Sequence, residues 1–164
     1  MNTGKSIAEL KLGESASLTK TITEADVLAF ADVSDDHNPV HVDEAFAKTT
    51  MFKGRIVHGM LVGSLFSSIL GTQLPGNGSI YLGQELKFIK PVRFNDTITA
   101  KVTVIEKLLD KNRFKLETTA RNQDDELVVT GIATIMPPKA KEQPWTSPFR
   151  SSMPFYRRCT VNSH

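Results

Sequence analysis

The chain has 164 residues, of which 40% are hydrophobic and 23% are charged, a composition typical of one globular domain. No stretch approaches the roughly 20 apolar residues that a membrane span requires, so we expect a cytoplasmic protein that is not associated with membranes. A single cysteine, Cys159, excludes an internal disulfide and fits a reducing compartment.

The net charge of +2 is unevenly distributed along the chain. Residues 137–164 contain five basic residues and one acidic residue, so the rest of the chain is slightly acidic. We therefore expect no nucleic-acid partner. The same segment contains five of the eight prolines, and we predict a flexible tail after a single domain at 1–136. The alternative for this tail is an aromatic and basic segment that binds a partner.

In the first third of the chain we predict one short strand, a helix, a polar loop and a second, short helix. A strand is predicted near 16–22, and Thr23 with Asp26 resembles a capping box that opens an amphipathic helix over 23–34. Pro39 lacks a backbone donor and favours an extended Asn38, which predicts a fixed loop over 36–41 rather than a continuing helix. A short helix capped by Asp43 is predicted over 43–49.

The segment 56–84 contains no Asp, Glu, Lys or Arg. Within it, small residues recur at four-residue spacing: Gly59, Gly63, Ser67 and Gly71. This pattern, with small residues on one face and apolar residues on the others, predicts a helix that is surrounded by other elements. Turn-forming residues over 74–78 end it.

The second half of the chain has a period of two residues, which is typical of strands. Strands are predicted over 80–89, 97–106, 113–121 and 127–136. Together with the early strand, they predict an α+β protein in which an antiparallel sheet of about five strands wraps around one long central helix.

Asp36 and His41 are the candidate catalytic residues, because a carboxylate and an imidazole on one short, rigid loop can act together to move a proton. Taken singly, each is better interpreted as a solvated acid or a structural histidine. Their occurrence together, followed by His58-Gly59-Met60 and the uncharged helix, favours a catalytic pair. Asp35 is adjacent but out of register, and we interpret it as a solvated neighbour.

The segment Asp36-His37-Asn38-Pro39-Val40-His41 resembles the hydratase motif of the MaoC-like (R)-specific enoyl-CoA hydratases, which reads approximately Gly/Asp-Asp-x-Asn-Pro-x-His. The resemblance extends over about 6–136 and is greatest to the short hydratases linked to polyhydroxyalkanoate synthesis. It implies a hot-dog fold, a homodimer and an acyl-CoA thioester substrate without metal or other cofactor. It also implies that Asp36 and His41 hold and activate the water molecule that adds to the double bond of the substrate, so that the pair serves both proton steps. Asn38 would fix the loop.

Further residues match the family at the helix and at the first long strand. The amides of Gly59 and Met60 would lie at a helix N-terminus, where free donors favour a developing negative charge on the thioester oxygen. Ser67 matches a serine near the catalytic pair, and Gly83 and Gln84 match residues that line the site.

The sequence departs from the family pattern at two positions. His37 occupies a position that is often aromatic in the family. Asn95-Asp96 replaces a Gly-Asp turn, although asparagine tolerates the positive φ that this turn needs.

Three alternatives remain open at this point. A 3-hydroxyacyl-carrier-protein dehydratase would use the same residues in the reverse direction, and a non-catalytic hot-dog protein could use the same pocket to bind acyl-CoA. His37 and His41 have the spacing of zinc ligands on a helix, but Pro39 between them argues against that helix.

Overall fold

The computed structural model describes residues 4–140 of the chain. These residues form five strands, four helices and one 3-10 turn at Leu109–Lys111. The strands are β1 (Ser15–Thr21), β2 (Ile80–Phe88), β3 (Thr97–Leu108), β4 (Arg113–Arg121) and β5 (Leu127–Met136). The helices are α1 (Glu24–Ser34), α2 (Pro39–Val42), α3 (Glu44–Thr49) and α4 (Gly59–Thr72).

The five strands form one antiparallel sheet in the order β1-β3-β4-β5-β2. Alternate residues of β3 and β4 are buried, and they face the apolar side of α4. Phe66 of α4 is fully buried among them, and its replacement by alanine would cost about 3–5 kcal/mol of stability. The sheet therefore wraps the central helix as predicted, which is the hot-dog arrangement.

Capping residues close to each helix in the sequence fix the N-terminal ends of α1 and α3. Thr23 is the N-cap of α1, and Thr23 and Asp26 form both hydrogen bonds of a capping box, as predicted. Asp43 caps α3 by accepting a hydrogen bond from the Phe46 amide at 3.0 Å. Asn95 has a φ of 69°, so it replaces glycine in this turn as expected.

α1 ends at Ser34 and does not continue through 36–41, as predicted, but the prediction of a loop over these residues is wrong at its C-terminal end. Residues Pro39–Val42 form one helical turn, with Asn38 as N-cap and Pro39 in the first turn. Proline is compatible with this position because the first amides of a helix have no intrahelical acceptor. Pro39 therefore starts a helical turn that contains His41.

The two edges of the sheet differ in composition. At one edge, β1 alternates exposed and half-buried residues, and its exposed side chains are Ser and Thr. At the other edge, β2 exposes several large apolar side chains: Ile80, Tyr81, Leu82 and Phe88. Among residues 4–140, no helix is long and apolar enough to cross a membrane.

Candidate active site

Asp36 lies on a sharp turn between α1 and α2. Asp35 caps the end of α1 with a left-handed φ of 57°, which turns the chain away from the helix axis. The Asp36 amide then donates to Ser34 Oγ at 3.3 Å, and Asp36 Oδ1 accepts from the Asn38 amide at 3.3 Å. These local hydrogen bonds hold an exposed carboxylate in a defined position. Asp35 itself is exposed, as expected.

His41 is placed by α2 and by the segment that precedes α4. Asn38 Oδ1 accepts from the Val40 amide at 3.3 Å and so caps the turn on which His41 lies. His41 Nδ1 lies 2.8 Å from the Ile56 carbonyl oxygen. Because a carbonyl oxygen can only accept, Nδ1 carries the proton and Nε2 is the basic nitrogen of the neutral ring.

Burial is the main influence on the basicity of His41, whose side chain is only 9% exposed. Desolvation lowers the pKa of His41 below its ordinary value, and the neighbouring His58 acts in the same direction. The hydrogen bond to Ile56 and the charge of Asp36 oppose this shift and only partly offset it. The ring is therefore neutral, and able to accept a proton, near neutral pH.

Two arginines hold the segment 52–57, which supplies the acceptor for His41. Arg55 forms ion pairs with Glu24 at 2.6 Å and with Glu44 at 3.5 Å, so it connects α1 and α3 to this segment. Its guanidinium also lies 4.6 Å from the centre of the Phe94 ring. Arg93 donates to the Gly54 carbonyl at 3.0 Å. The Ile56 carbonyl therefore lies on a braced piece of main chain.

The N-terminus of α4 supplies hydrogen-bond donors to the same region. Gly59 and Met60 are its first two residues, so their amides have no acceptor within the helix. A Cβ on Gly59 would lie 2.7 Å from the Phe88 ring. Any larger residue at this position would displace the Phe88 ring, so glycine allows β2 to pack closely against the helix terminus, a reason that the sequence did not reveal.

A cavity of about 450 Å³ brings these groups together. Asp36, His41, Gly59 and Met60 all line it, so the structure places the predicted catalytic pair beside the predicted amide donors. Most of the remaining wall is apolar and comes from the segment before α4 and from the end of β2 and the chain that follows it: Met51, Phe52, Ile56, Val57, Phe88, Ile89, Pro91 and Val92. Such a cavity suits an acyl chain.

His58 is a site residue that the sequence analysis did not select. Its side chain is 2% exposed, and its ring centre lies 3.8 Å from that of His41. His58 Nε2 lies 2.9 Å from the Asp36 carbonyl oxygen. The sequence showed His58 beside Gly59, but it gave no indication that the ring would turn toward the Asp36 turn.

Four other predicted site residues are not among the residues that line this cavity. Asn38 caps α2. Ser67 is exposed on α4, and Gly83 and Gln84 instead line a shallow groove formed by β2 to β5. Gln84 donates to Thr118 Oγ1 at 3.0 Å and to the Glu85 carbonyl at 2.6 Å. Their roles in the site therefore stay predictions.

The donor atoms of Asp36, His41 and His58 lie within 4.8 Å of one another and could in principle meet a metal ion. His37, the predicted alternative ligand, instead lies outside α2 and near Asp32, 3.9 Å from its carboxylate. His58 Nε2 is directed at a carbonyl oxygen, so the ring would have to turn to offer that nitrogen to a metal. The observed hydrogen bonds of Asp36 and His41 are compatible with an acid and base pair, and no side chain would have to turn for that role.

Residues 9–126 match the family model described as MaoC like domain. The chain belongs to the MaoC-like domain family. The match covers β1 to β4 and all the residues that line the cavity except Val129, and it ends just before β5. The segment from Asp36 to His41 and the wrapped helix therefore lie within one family domain.

Relatives and solved structures of this family cover most of the chain. An (R)-specific enoyl-CoA hydratase of Rhodospirillum rubrum is 49% identical over 130 residues, which are 79% of this chain and 90% of the relative. The solved (R)-hydratase of Aeromonas caviae, described as involved in PHA biosynthesis, is 50% identical with a TM-score of 0.76, covering 79% of this chain and 98% of that one. An unliganded R-hydratase of Pseudomonas aeruginosa is 42% identical with a TM-score of 0.78, covering 97% of both chains. These likenesses confirm the hot-dog fold.

Proposed function

We propose that the protein is an (R)-specific enoyl-CoA hydratase, a hydro-lyase that converts trans-2-enoyl-CoA reversibly to (R)-3-hydroxyacyl-CoA. The observation that carries this proposal is the meeting of Asp36, His41 and the N-terminal amides of α4 in one largely apolar cavity. The names of relatives at 49% and 50% identity support the same reaction.

The chemistry follows from the positions of these groups. The thioester oxygen accepts hydrogen bonds from the free amides of Gly59 or Met60, which stabilise the enolate as the oxygen gains charge. Neutral His41 and the Asp36 carboxylate hold one water molecule. Its oxygen bonds to C3 as the π bond between C2 and C3 breaks, and the proton that it releases returns through the pair to C2, where it forms the new C–H bond. No net proton and no electron is exchanged with solvent.

Replacement of the catalytic pair tests the proposal. We expect Asp36→Asn and His41→Ala to fold like the parent but to hydrate crotonyl-CoA at least about 10²-fold more slowly, because a positioned acid or base contributes this much. Asp35→Asn is the matched control and should keep the parental rate. An essential Asp35 with a dispensable Asp36 would contradict the register that we assign to the motif.

The same assay separates the alternatives. Faster turnover of a crotonyl-carrier protein than of crotonyl-CoA would favour a 3-hydroxyacyl-carrier-protein dehydratase. Tight binding of crotonyl-CoA without turnover would favour a non-catalytic binding protein. The Aeromonas caviae relative is described as involved in PHA biosynthesis, and supply of (R)-3-hydroxyacyl-CoA for such a polymer is the role that we propose here.

We also propose that the protein is a homodimer that pairs through β2. Within residues 4–140, β2 has β5 on one side and no strand on the other. Ile80 is 51% exposed, Leu82 is 41% exposed and Phe88 is 54% exposed, so this edge combines free backbone groups with apolar side chains. The opposite edge strand, β1, exposes Ser and Thr side chains instead.

The dimer is tested by analytical ultracentrifugation of an edge variant. Ile80→Lys combined with Leu82→Lys places two charges on the apolar edge and should shift the protein to a monomer. Thr19→Lys on β1 is the matched control and should leave the dimer intact. A monomeric parent, or a dimer that only the β1 variant disrupts, would contradict the assignment.

The proposed reaction needs no metal or other cofactor, because the substrate itself brings coenzyme A and the pair activates water directly. We expect EDTA to leave the rate unchanged and the product to be the R enantiomer on chiral chromatography. Inactivation by EDTA that zinc reverses would favour a metal-dependent mechanism instead. We propose a cytoplasmic location, with which the single cysteine is compatible.

A further inference from the structure

His58 joins three parts of the site although the reaction described above does not use it. It is the N-cap residue of α4 and directly precedes Gly59, whose amide is proposed to bind the thioester. Its ring lies against the His41 ring, 3.8 Å between centres at 32°. Its Nε2 lies 2.9 Å from the main-chain carbonyl oxygen of Asp36. One buried side chain therefore contacts both members of the catalytic pair.

We propose that His58 is a positioning residue for the hydration reaction, which holds the Asp36 turn and the His41 ring in place relative to the N-terminus of α4. This inference rests on the roles proposed above for Asp36 and His41. His58 acts through these residues.

The hydrogen bond fixes which ring nitrogen carries the proton. A carbonyl oxygen can only accept, so His58 Nε2 must donate to Asp36. The other nitrogen, Nδ1, is buried and has no hydrogen-bond partner among the described residues. The Nε2 proton is therefore directed at the main chain and not at the substrate. That arrangement is suited to positioning rather than to proton transfer.

Packing alone does not explain a histidine at this position. A polar ring atom that is buried without a partner carries a desolvation penalty, which an apolar side chain of similar size would not have. Phe30 lies 5.1 Å from the His58 ring, so the surroundings would accommodate another aromatic residue. The hydrogen bond to Asp36 is the feature that distinguishes histidine from phenylalanine here.

The hydrogen bond from His58 to the Asp36 carbonyl oxygen connects the catalytic turn to the N-terminus of α4. Among residues 4–140, the other hydrogen bonds of Asp36 are local, at 3.3 Å to Ser34 and to Asn38, and its Oδ2 lies 4.0 Å from His58 Nε2. The bond from His58 is shorter and links the turn to an element 22 residues later in the chain. It is therefore the contact that sets the distance between the carboxylate and the amide donors of α4.

Two variants separate the hydrogen bond from the packing of the ring. His58→Phe keeps an aromatic ring against His41 and Phe30 but cannot donate to Asp36. His58→Gln loses the ring, but its amide nitrogen can occupy the position of Nε2 and donate. We expect His58→Phe to lower kcat for crotonyl-CoA by about tenfold to 100-fold, the effect of a misplaced catalytic group. KM should change by less than about threefold, because the amides of α4 that bind the thioester remain.

Rescue by glutamine is the result that a purely structural role would not produce. We expect His58→Gln to recover kcat to within about fivefold of the parent, even if its melting temperature is lower than that of His58→Phe. Parental kcat in His58→Phe would overturn the proposal, and so would an equal loss in both variants when both are folded by circular dichroism.

A measurement on the parent protein keeps the proposal testable if a variant does not fold. Long-range 1H–15N correlation NMR distinguishes the two neutral tautomers of a histidine, and we expect the proton of His58 on Nε2. A proton on Nδ1 would overturn the proposal. Asp36→Asn and His41→Ala are assayed in parallel. If these two remain active, the proposed function itself is wrong, whereas their inactivity with an active His58→Phe contradicts only the role of His58.

Discussion

At the scale of single residues, the chemistry of the site depends on main-chain acceptors that lie far away in the sequence. His41 donates to Ile56, and His58 donates to Asp36. Each contact selects one tautomer and directs the other ring nitrogen elsewhere. The two histidines therefore have different tasks although their rings touch, because the partners of their nitrogens differ.

The pH dependence of the reaction tests the environment of His41. The ring must be unprotonated to accept a proton from water, and burial lowers its pKa from the ordinary value of 6.5. Because a lowered pKa keeps the ring neutral to lower pH, the acidic limb of kcat/KM should have its midpoint below 6.5. Initial rates with crotonyl-CoA between about pH 4.5 and 8.5 provide the measurement. Asp35→Asn should give the same profile, and a midpoint above the ordinary value would show that burial does not dominate.

Gly59 offers a second test at the residue scale. A Cβ here would lie 2.7 Å from the Phe88 ring, which lines the cavity. Gly59→Val should therefore displace Phe88 and obstruct the thioester, with kcat/KM lowered by about tenfold or more. The product should remain the R enantiomer because the catalytic pair does not move. Gly71→Val is the control, since nothing lies within 4 Å of a Cβ at that position. An S product from Gly59→Val would contradict the expectation that the substitution obstructs the thioester without changing the face of the double bond to which water adds.

At the scale of elements, the attachment of β2 to the sheet determines the shape of the cavity. Leu86 of β2 is paired with Gly131 of β5, and the neighbouring Phe88 reaches the N-terminus of α4. A Cβ on Gly131 would lie 1.8 Å from the Glu85 carbonyl oxygen. Only glycine allows the two strands to approach in this way. The position of one strand against another thus controls one wall of the site.

Gly131→Ala should separate β2 from β5 because a main-chain oxygen cannot move as a flexible side chain can. We expect the free energy of unfolding to fall by about 3 kcal/mol or more, at or beyond the upper range for overpacking. Urea denaturation followed by circular dichroism measures it. Gly71→Ala, in the exposed part of α4, should be neutral or stabilising by up to about 1 kcal/mol. Equal stability of both variants would show that the sheet accommodates the added methyl group.

At the scale of the whole molecule, one domain carries the fold and the residues of the cavity. The predicted boundary at residue 136 coincides with the end of β5. Two more residues lie against these elements. The Pro137 carbonyl accepts from Asn112 Nδ2 at 3.3 Å, and Pro138 lies close to Gly78, where an added Cβ would be 3.3 Å from the Pro138 side chain. Residues 141–164, the larger part of the predicted tail, lie outside the described residues.

Truncation after Pro138 tests whether the remaining chain is needed. We expect a folded and active dimer, since the elements and the lining of the cavity all precede this point. Circular dichroism, sedimentation and crotonyl-CoA hydration of the shortened chain measure folding, assembly and activity. The full-length protein in the same buffer is the reference. Loss of folding would mean that the tail docks on the domain.

The sequence predicted the features that depend on neighbouring residues. The capping box of Thr23 and Asp26, the αL turn at Asn95 and the alternation of the strands are all local, so each could be read from a few positions. The motif likewise placed Asp36 and His41 in one cavity with Gly59, because the family pattern combines them. The helical turn at Pro39–Val42 was missed because Pro39 was interpreted as a helix breaker rather than as a first helical residue.

Other features of the site depend on residues that are distant in the chain. The neutral tautomer of His41 requires the Ile56 carbonyl, the placement of the Asp36 turn requires His58, and the need for glycine at position 59 arises from Phe88 on β2. The two hydrogen-bond partners lie 15 and 22 residues away in the chain from the residues that they contact. The sequence by itself therefore determined the fold class and selected the candidate catalytic pair. Only the tertiary structure decided the tautomer of His41 and the placement of the pair, because the hydrogen bonds and packing contacts that control them form between elements that meet only after the sheet has wrapped the helix.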